Sequence, residues 1–252
     1  MTTAQRDAIT SPSIGLVIYN TTANCLNYFV GGGWIQTCGS VEQPIVQPIY
    51  PAGSVFCSGA TLVVNVLNPT TGRIWMDRNL GATQVATSST DANSYGDLYQ
   101  WGRAKDGHES RTSAVTATTV TSAAAGHGDF ITAGSGTSDN WTNFADEDSL
   151  WQSNQKNPCP LGYHIPTEAE LQIEIDEFSP KDADGAFSAL KLPLAGGRYY
   201  SNGALNFVGS HGYYWSSTVS STNARNLYFN SSNAYVGNYN RAYGLSVRCI
   251  KD

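Results

Sequence analysis

The sequence predicts a protein of the α+β class, with antiparallel sheets, one or two helices and long loops behind a small β module. Short strand-like runs separated by Gly, Asn and Pro recur at both ends of the chain. One segment between them has the period of an amphipathic helix. Charged residues make up 13% of the 252 residues, about half the usual share of roughly 25%, which favours a β-rich, loop-rich extracellular protein.

The chain is predicted to divide into a module, a linker and a main domain. Residues 1–40 contain three strand-like runs, GLVIYN, CLNYFV and WIQTC. They predict a small antiparallel meander, which is too small to be stable alone and should pack on the main domain or on its own copies. Residues 41–52 carry three prolines and predict an extended linker. The main domain is expected at 53–252.

The main domain contains one clear helix signal. Thr167 is placed as the N-cap, and Glu170 three residues later completes a capping box. The apolar positions that follow at helical spacing are Leu171, Ile175 and Phe178. The sequence therefore predicts a helix with one apolar face.

The segments on either side of this helix differ in character. Residues 84–140 are dominated by Thr, Ser, Ala and Gly, and a loop of this length is expected to be functional or mobile. After the helix, GAFSALKL predicts a second, weaker helix. Short alternating runs from there to the end predict a second antiparallel sheet.

Charge and hydropathy exclude two classes of partner. The net charge is −6 and the basic residues form no cluster, so nucleic-acid binding is not expected. No apolar run approaches the roughly 18 residues of a membrane span, and the start MTTAQRDAIT has no apolar segment of the signal-peptide type. We expect an extracellular, cell-surface or virion protein that is trimmed from a precursor or exported by another route, such as on a virus particle.

The chain has five cysteines, an odd number. Cys25 and Cys38 flank a hairpin-like segment, Cys159 and Cys249 lie far apart, and Cys57 is left over. One interpretation is that all five cysteines are buried free thiols. Two disulfides are favoured, because the low-charge, Gly-rich composition suits an oxidising compartment.

Two kinds of framework residue are expected in the interior. The tryptophans predicted to belong to the core are Trp75, Trp101 and Trp215. Arg248 follows Val247 in a strand that should be buried, so it should need a carboxylate or carbonyl partner inside the protein. A structural role is expected for it.

Several segments together resemble a known family. In chain order they are GRIWMDRNLGA, NPCPLGYHIPTEAEL, LPLAGGR, GYYWSST and YGLSVRCI. Their combination is similar to the Fibrobacter succinogenes major paralogous domain, over roughly residues 53–252. The resemblance implies a C-type lectin-like fold and a bridge between Cys159 and Cys249. Residues 1–40 also look like the small modules that precede such domains in bacterial surface and tail-fibre-like proteins.

The C-terminal part is similar to the variable proteins of diversity-generating retroelements. These elements mutate template adenines near the end of a C-type lectin-like domain, and from an Asn codon such changes reach Tyr, Ser, Asp, His, Gly, Arg and Ala. Residues 223–243 are largely drawn from this set, whereas Leu227 and Phe229 are not. The resemblance therefore implies a variable surface on a constant framework.

The composition of the same stretch is typical of a binding site, independently of the family resemblance. Tyr offers a large contact area at low entropic cost, and Asn and Ser offer adaptable hydrogen bonds. Leu227 and Phe229 alternate with Tyr228 and Asn230, so one pair should face the core and the other the solvent. The residues expected to bind ligand are Asn223, Arg225, Tyr228, Asn230, Asn233, Tyr235, Asn238, Tyr239 and Asn240, with Tyr213 beside them. The alternative is that these residues only form turns and cross-strand pairs.

The sequence does not favour an enzyme. The histidines lie in unrelated segments without metal-ligand spacing: His108, His127, His164 and His211. No G-x-S-x-G motif is present. HIPTEAEL resembles a helix start of formylglycine-generating enzymes, but their active-site cysteine pair cannot be located here. We expect no catalytic residue and no cofactor.

Two acidic clusters contain residue types that can bind calcium. Their members are Asp139, Asp146, Glu147 and Asp148 in the first, and Asp182 and Asp184 in the second. Neither has the full D-x-D-x-D-G spacing with a distal Glu, so solvated acidic loops are preferred to metal sites.

The sequence as a whole predicts a non-enzymatic, receptor-binding protein whose ligand is a protein or glycan on another cell or surface. A retroelement-diversified surface is the sharpest form of this hypothesis. The alternative is a structural surface, adhesin or tail-fibre subunit without a diversified site. A homo-oligomer would form through the N-terminal module.

Overall fold

The structure is a computed structural model, which describes residues 1–23, 25–30, 33–37, 49–50, 61–133, 140–152 and 156–252. The chain divides into two compact units, Met1–Val46 and Gln47–Asp252. The boundary falls within the segment expected to be a linker. Both units are built mainly from antiparallel strands, with few helices.

The first unit is a three-stranded antiparallel sheet with one short helix. Its strands are β1 (Val17–Asn20), β2 (Cys25–Phe29) and β3 (Trp34–Thr37), in the order β1-β2-β3. The predicted meander is therefore confirmed. Helix α1 (Thr3–Asp7) was not expected, although Thr2 and Gln5 form a capping box at its start. Cys25 is buried, whereas Cys38 lies outside the described residues, so the proposed bridge between them is not described.

The second unit contains fifteen of the described strands. They are β4 (Ile49–Tyr50), β5 (Thr61–Leu62), β6 (Asn65–Leu67), β7 (Ile74–Met76), β8 (Tyr99–Gln100), β9 (Val115–Thr116), β10 (Phe130–Ile131), β11 (Tyr163–His164), β12 (Gly197–Arg198), β13 (Leu205–Asn206), β14 (Gly212–Ser220), β15 (Asn223–Phe229), β16 (Ala234–Asn240), β17 (Gly244–Leu245) and β18 (Ile250–Lys251). The helical segments are a 3₁₀ turn (Ala92–Ser94), α2 (Ser149–Gln152), α3 (Glu168–Glu177) and α4 (Ala183–Leu190).

The strands pair into small sheets. Two have four strands, in the orders β11-β18-β7-β6 and β13-β12-β17-β8, and a third has the order β14-β15-β16. The pairs β4-β5 and β9-β10 stand apart, and β9-β10 is parallel. The third sheet is the longest, and it carries most of the residues expected to bind ligand.

Helix α3 forms as its sequence predicts. The Thr167 side chain accepts a hydrogen bond from the Glu170 amide, and the Glu170 carboxylate accepts one from the Thr167 amide at 2.8 Å. Leu171, Ile175 and Phe178 are all buried and pack with the apolar side of sheet β14-β15-β16. Helix α3 therefore supports that sheet from one side.

The tryptophans expected in the core are buried there, each with its indole N–H paired. Trp215 donates to the Tyr99 carbonyl at 2.7 Å, and Trp101 donates to the Ser216 carbonyl at 2.8 Å. Trp75 donates to the Glu174 carboxylate at 3.1 Å. These tryptophans therefore bury a large apolar surface in the core of the second unit, while their indole N–H groups keep a hydrogen-bond partner.

One disulfide joins Cys159 to Cys249, as the resemblance implies. The two residues precede β11 and β18, which pair with each other through His164 and Ile250. The bridge therefore fastens the segment that leads into α3 to the last strand.

The long Ser- and Thr-rich segment is tied to the rest of the second unit by buried polar side chains. The Gln100 side-chain amide donates to the carbonyls of Ile131 and Ala242 at 2.7 and 2.8 Å. Arg103 donates to the Asp129 and His127 carbonyls. Across the described ranges, no helix is both long enough and apolar enough to span a membrane.

Candidate binding surface

A row of tyrosines crosses the three strands of sheet β14-β15-β16. The register places Tyr213 opposite Tyr228, and Tyr228 opposite Tyr235. The ring centroids are 5.3 Å apart in the first pair and 4.8 Å in the second. Tyr213 is buried, Tyr228 is half-buried and Tyr235 is 49% exposed, so the row rises from the core to the solvent.

Two further rings extend this row across the surface. The His211 ring lies 5.6 Å from Tyr228 and 4.5 Å from Phe207. Phe207 is 57% exposed. Phe207, His211, Tyr228 and Tyr235 form a continuous line of aromatic contacts with an exposed residue at each end, which we call the aromatic strip.

A small pocket of about 80 Å³ opens beside the aromatic strip. Its lining residues are Gly197, Arg198, Tyr199, Asn206, Phe207, Tyr213, Tyr239, Tyr243 and Leu245. The Tyr243 ring contacts those of Tyr239 and Tyr199 at 5.0 and 5.4 Å. A pocket of this size and composition can hold one small group of a larger ligand, such as a side chain or part of a sugar ring.

Four phenols in or beside the pocket stay protonated at neutral pH. Burial raises the pKa values of Tyr213 and Tyr243 well above the usual range, and neighbouring phenols reinforce the effect. Burial also raises the pKa values of Tyr228 and Tyr239. These side chains therefore present neutral hydroxyl groups, which can donate and accept hydrogen bonds.

The residues expected to bind ligand do not all lie on the tyrosine side of the sheet. Arg225 pairs with Asn238, and Asn223 pairs with Asn240, on the face that also carries Leu227. The reason is the two-residue period of a strand, which sends Asn223 and Arg225 to the side opposite Tyr228. The Arg225 Nε lies 3.4 Å from a carboxylate oxygen of Glu168 at the start of α3.

Asn230 and Asn233 form the turn between β15 and β16. The Asn230 amide donates to the Asn233 carbonyl at 3.0 Å, and the Asn230 Oδ1 accepts from the amides of Ser232 and Asn233. The Asn230 side-chain amide also donates to the Tyr228 hydroxyl at 2.7 Å. These two residues hold the turn that sets the position of Tyr228.

The predicted set therefore separates into three groups. Tyr213, Tyr228, Tyr235 and Tyr239 come together on the aromatic side, the turn holds Asn230 and Asn233, and the other four residues lie on the opposite side. Sequence reasoning missed the aromatic residues that complete the first group, namely Tyr199, Tyr200, Phe207, His211 and Tyr243. The local signal was the aromatic content of RYY and NFVGSHGYY, but only the fold brings these segments beside β16.

One cluster has the residue types of a metal site, but both ring nitrogens of its histidine already form hydrogen bonds within the protein. Ligand atoms of Asp106, His108 and Glu109 lie within 4.8 Å of one another. The His108 Nδ1 contacts Asp106 at 2.6 Å, and its Nε2 accepts from the Gln100 amide at 3.0 Å. Burial lowers the pKa of His108, so a neutral ring held by these two bonds accounts for the geometry.

Three of the acidic residues that could bind calcium have other partners. Asp148 and Glu147 face the guanidinium of Arg241 at 2.5 and 3.2 Å. Asp182 caps helix α4 by accepting from the amides of Asp184 and Gly185. Asp139 lies outside the described residues.

Comparisons with known proteins give two family matches for this mainly antiparallel β protein. Residues 1–49 match the family model described as a phage tail like trimerisation region. Residues 172–250, which include the whole aromatic strip, match a domain of unknown function, DUF8237. No curated protein and no solved structure matches the chain. The N-terminal match indicates a structural protein associated with a tail or a fibre, and it supports homo-oligomer formation and a virion or extracellular location.

Proposed function

We propose that this chain is a non-enzymatic receptor-binding protein of a phage tail or a tail-like particle. The aromatic strip is the observation that carries the proposal. The strip has two exposed ends, Phe207 and Tyr235, and a pocket opens beside it. Exposed, contiguous aromatic surface on a soluble protein marks an interaction site.

The chemistry of the strip favours recognition by contact area and neutral hydrogen bonds. Tyr side chains offer large, rigid surfaces that also carry a hydroxyl group, as in antibody paratopes. The aromatic strip carries no charge when the His211 ring is neutral. Burial lowers the pKa of that ring, which favours its neutral form. The ligand is accordingly a protein or a glycan on another cell or surface. Discrimination then depends on shape and on the hydroxyl groups rather than on charge.

Replacing the two exposed ends of the strip should abolish most binding. We expect the double variant Phe207→Ala, Tyr235→Ala to bind its target cells about tenfold more weakly or worse, because exposed aromatic anchors dominate interface energetics. The probe is the fluorescently labelled full chain, tested on a panel of bacterial strains and on arrayed bacterial surface glycans. Ile173→Ala, at a position 41% exposed on α3, is the matched control.

Two results would count against the proposal. The double variant could bind the same strains as strongly as the Ile173→Ala control, which would place recognition elsewhere. The unaltered chain could also fail to bind every strain and glycan in the panel. That outcome favours the alternative, a structural tail-fibre or adhesin subunit in which the tyrosines only stabilise a sheet edge.

The proposal includes a C-type lectin-like fold for the second unit. Its support is the order of the family-like segments and the bridge between Cys159 and Cys249, which ties the start of α3 to the last strand. In that fold the recognition residues would stand on the C-terminal strands, where β15 and β16 lie.

A finer form of the proposal is diversification by a retroelement. Its support is the composition of residues 223–243, where Asn, Tyr, Ser and Arg surround apolar framework positions. The structure adds a constraint, since Asn226 and Arg241 are fully buried and Arg241 pairs with Asp148. Adenine-derived changes should therefore concentrate on exposed positions such as Tyr235 and Asn238 and spare the two buried ones.

Sequencing the surrounding DNA tests this form. We expect a near-identical template repeat beside a reverse transcriptase gene, differing from this gene only at template adenines. The codons that differ should include that of Tyr235 and exclude that of Asn226. If no repeat is present, or if differences fall on buried and exposed codons alike, the surface is not diversified in this way.

A further inference from the structure

The sheet of the first unit has two unlike faces. Helix α1 covers one of them, where Asn20 and Asn27 are fully buried. The Asn20 side-chain amide donates to Asn27 Oδ1 at 3.0 Å and to Thr3 Oγ1 at 2.9 Å. Arg6, from the same helix, donates to Asn27 Oδ1 at 3.1 Å. This face is closed by hydrogen bonds within a single chain.

The other face is apolar and open to solvent in the single chain. The register pairs Val17 with Tyr28 and Tyr19 with Leu26, so these four residues share one side of the sheet. Val17 is 57% exposed, Tyr19 50% and Leu26 48%. We call the side defined by Val17, Tyr19, Leu26 and Tyr28 the apolar face.

Exposed apolar residues are concentrated in this unit. Among the described residues, six of the fourteen exposed large hydrophobic side chains lie within the first 30 positions: Met1, Ile14, Val17, Tyr19, Leu26 and Val30. A three-stranded sheet of this size needs further packing to be stable. An apolar side of this kind is therefore expected to be covered in the assembled protein.

We propose that the apolar face is the surface through which three copies of this chain pack together. The match of residues 1–49 to a trimerisation region identifies the occupant as further copies of the same unit. Three sheets can close around a threefold axis, and each copy then contributes Val17, Tyr19 and Leu26 to a shared core. Helix α1 lies on the opposite side of each sheet and faces away from that core. The assignment does not depend on what the aromatic strip binds.

Charge placed on the apolar face should dissociate the trimer. Light scattering coupled to size-exclusion chromatography should give the full chain a mass three times the 27.0 kDa of one copy. The double variant Val17→Lys, Leu26→Lys should elute with the mass of one copy. The matched control is Val115→Lys on β9, at a position 48% exposed, which should remain trimeric.

A second measurement uses the unaltered chain, so it does not depend on whether the Lys variant folds. Tyr19 and Tyr235 are 50% and 49% exposed in a single chain. In hydroxyl-radical footprinting, we expect Tyr19 to be oxidised at least about fivefold more slowly than Tyr235, because an interface core excludes water.

Three outcomes would overturn the assignment. The unaltered chain could have the mass of a single copy. It could be a trimer in which Tyr19 and Tyr235 are oxidised at equal rates. Finally, Tyr19 could be protected while the Lys variant stays trimeric, which would mean that the trimer does not depend on packing of the apolar face.

Discussion

Replacing Arg248 with Met should lower the free energy of unfolding by at least about 3 kcal/mol, because several buried acceptors would lose their donor. Arg248 is 2% exposed. Its Nε and Nη2 donate to Asn79 Oδ1 at 3.1 and 3.0 Å, and its Nη1 donates to the Met76 and Leu190 carbonyls at 3.1 and 2.8 Å. Burial lowers the pKa of Arg248 to about 10, so the side chain still carries its charge at neutral pH.

Urea unfolding followed by tryptophan fluorescence measures this loss. The control is Arg73→Met, since Arg73 is partly exposed and pairs with Glu170 at 3.0 Å. Removing a pair of that kind costs about 1 kcal/mol or less. Equal losses in the two variants would show that the carbonyl partners of Arg248 find other donors, such as water, and that the guanidinium does not hold these segments together.

Removing the disulfide is the second change with a large expected effect. The double variant Cys159→Ala, Cys249→Ala should lose about 4 kcal/mol, because the bridge closes a loop with a sequence separation of 90 residues and so restricts the unfolded chain. For a unit of this size the loss corresponds to a fall in melting temperature of roughly 10 °C. Differential scanning calorimetry gives the value.

The single variants provide the internal control for the bridge. Cys159→Ala and Cys249→Ala each break the same bond, so each should cost nearly as much as the double variant. Independent, additive losses would mean that the two thiols contribute only by packing. Mass spectrometry of the alkylated chain, with and without reduction, checks the bond directly.

The sequence predicted the helices and strands that are determined by residues close to one another in the chain. The capping box of α3 and its apolar positions lie within twelve consecutive residues, and the helix forms there. Strands β1, β2 and β3 follow the same principle, because Gly and Asn punctuate short apolar runs. The apolar side of α3 is buried as its spacing requires.

The aromatic strip could not be derived in this way, because its members depend on pairing between distant segments. Phe207 and His211 precede the sheet, whereas Tyr235 stands on its last strand. The expected set also applied the two-residue period of a strand only to residues 227–230 and did not extend it to Asn223 and Arg225, which lie on the same side as Leu227. The buried face of β15 also changes along the strand. In the first half, Ala224 and Asn226 are buried on one face, and in the second half, Leu227 and Phe229 are buried on the other.

Strand β15 separates two demands that usually conflict during evolution. Leu227 and Phe229 secure folding from one side of the strand, where truncation of a buried apolar residue costs about 2–5 kcal/mol. Tyr228, and Tyr235 opposite it, face the other side and meet the solvent. A lineage of such proteins can therefore exchange one partner for another through successive replacements at the exposed positions, while its stability stays above the threshold for function.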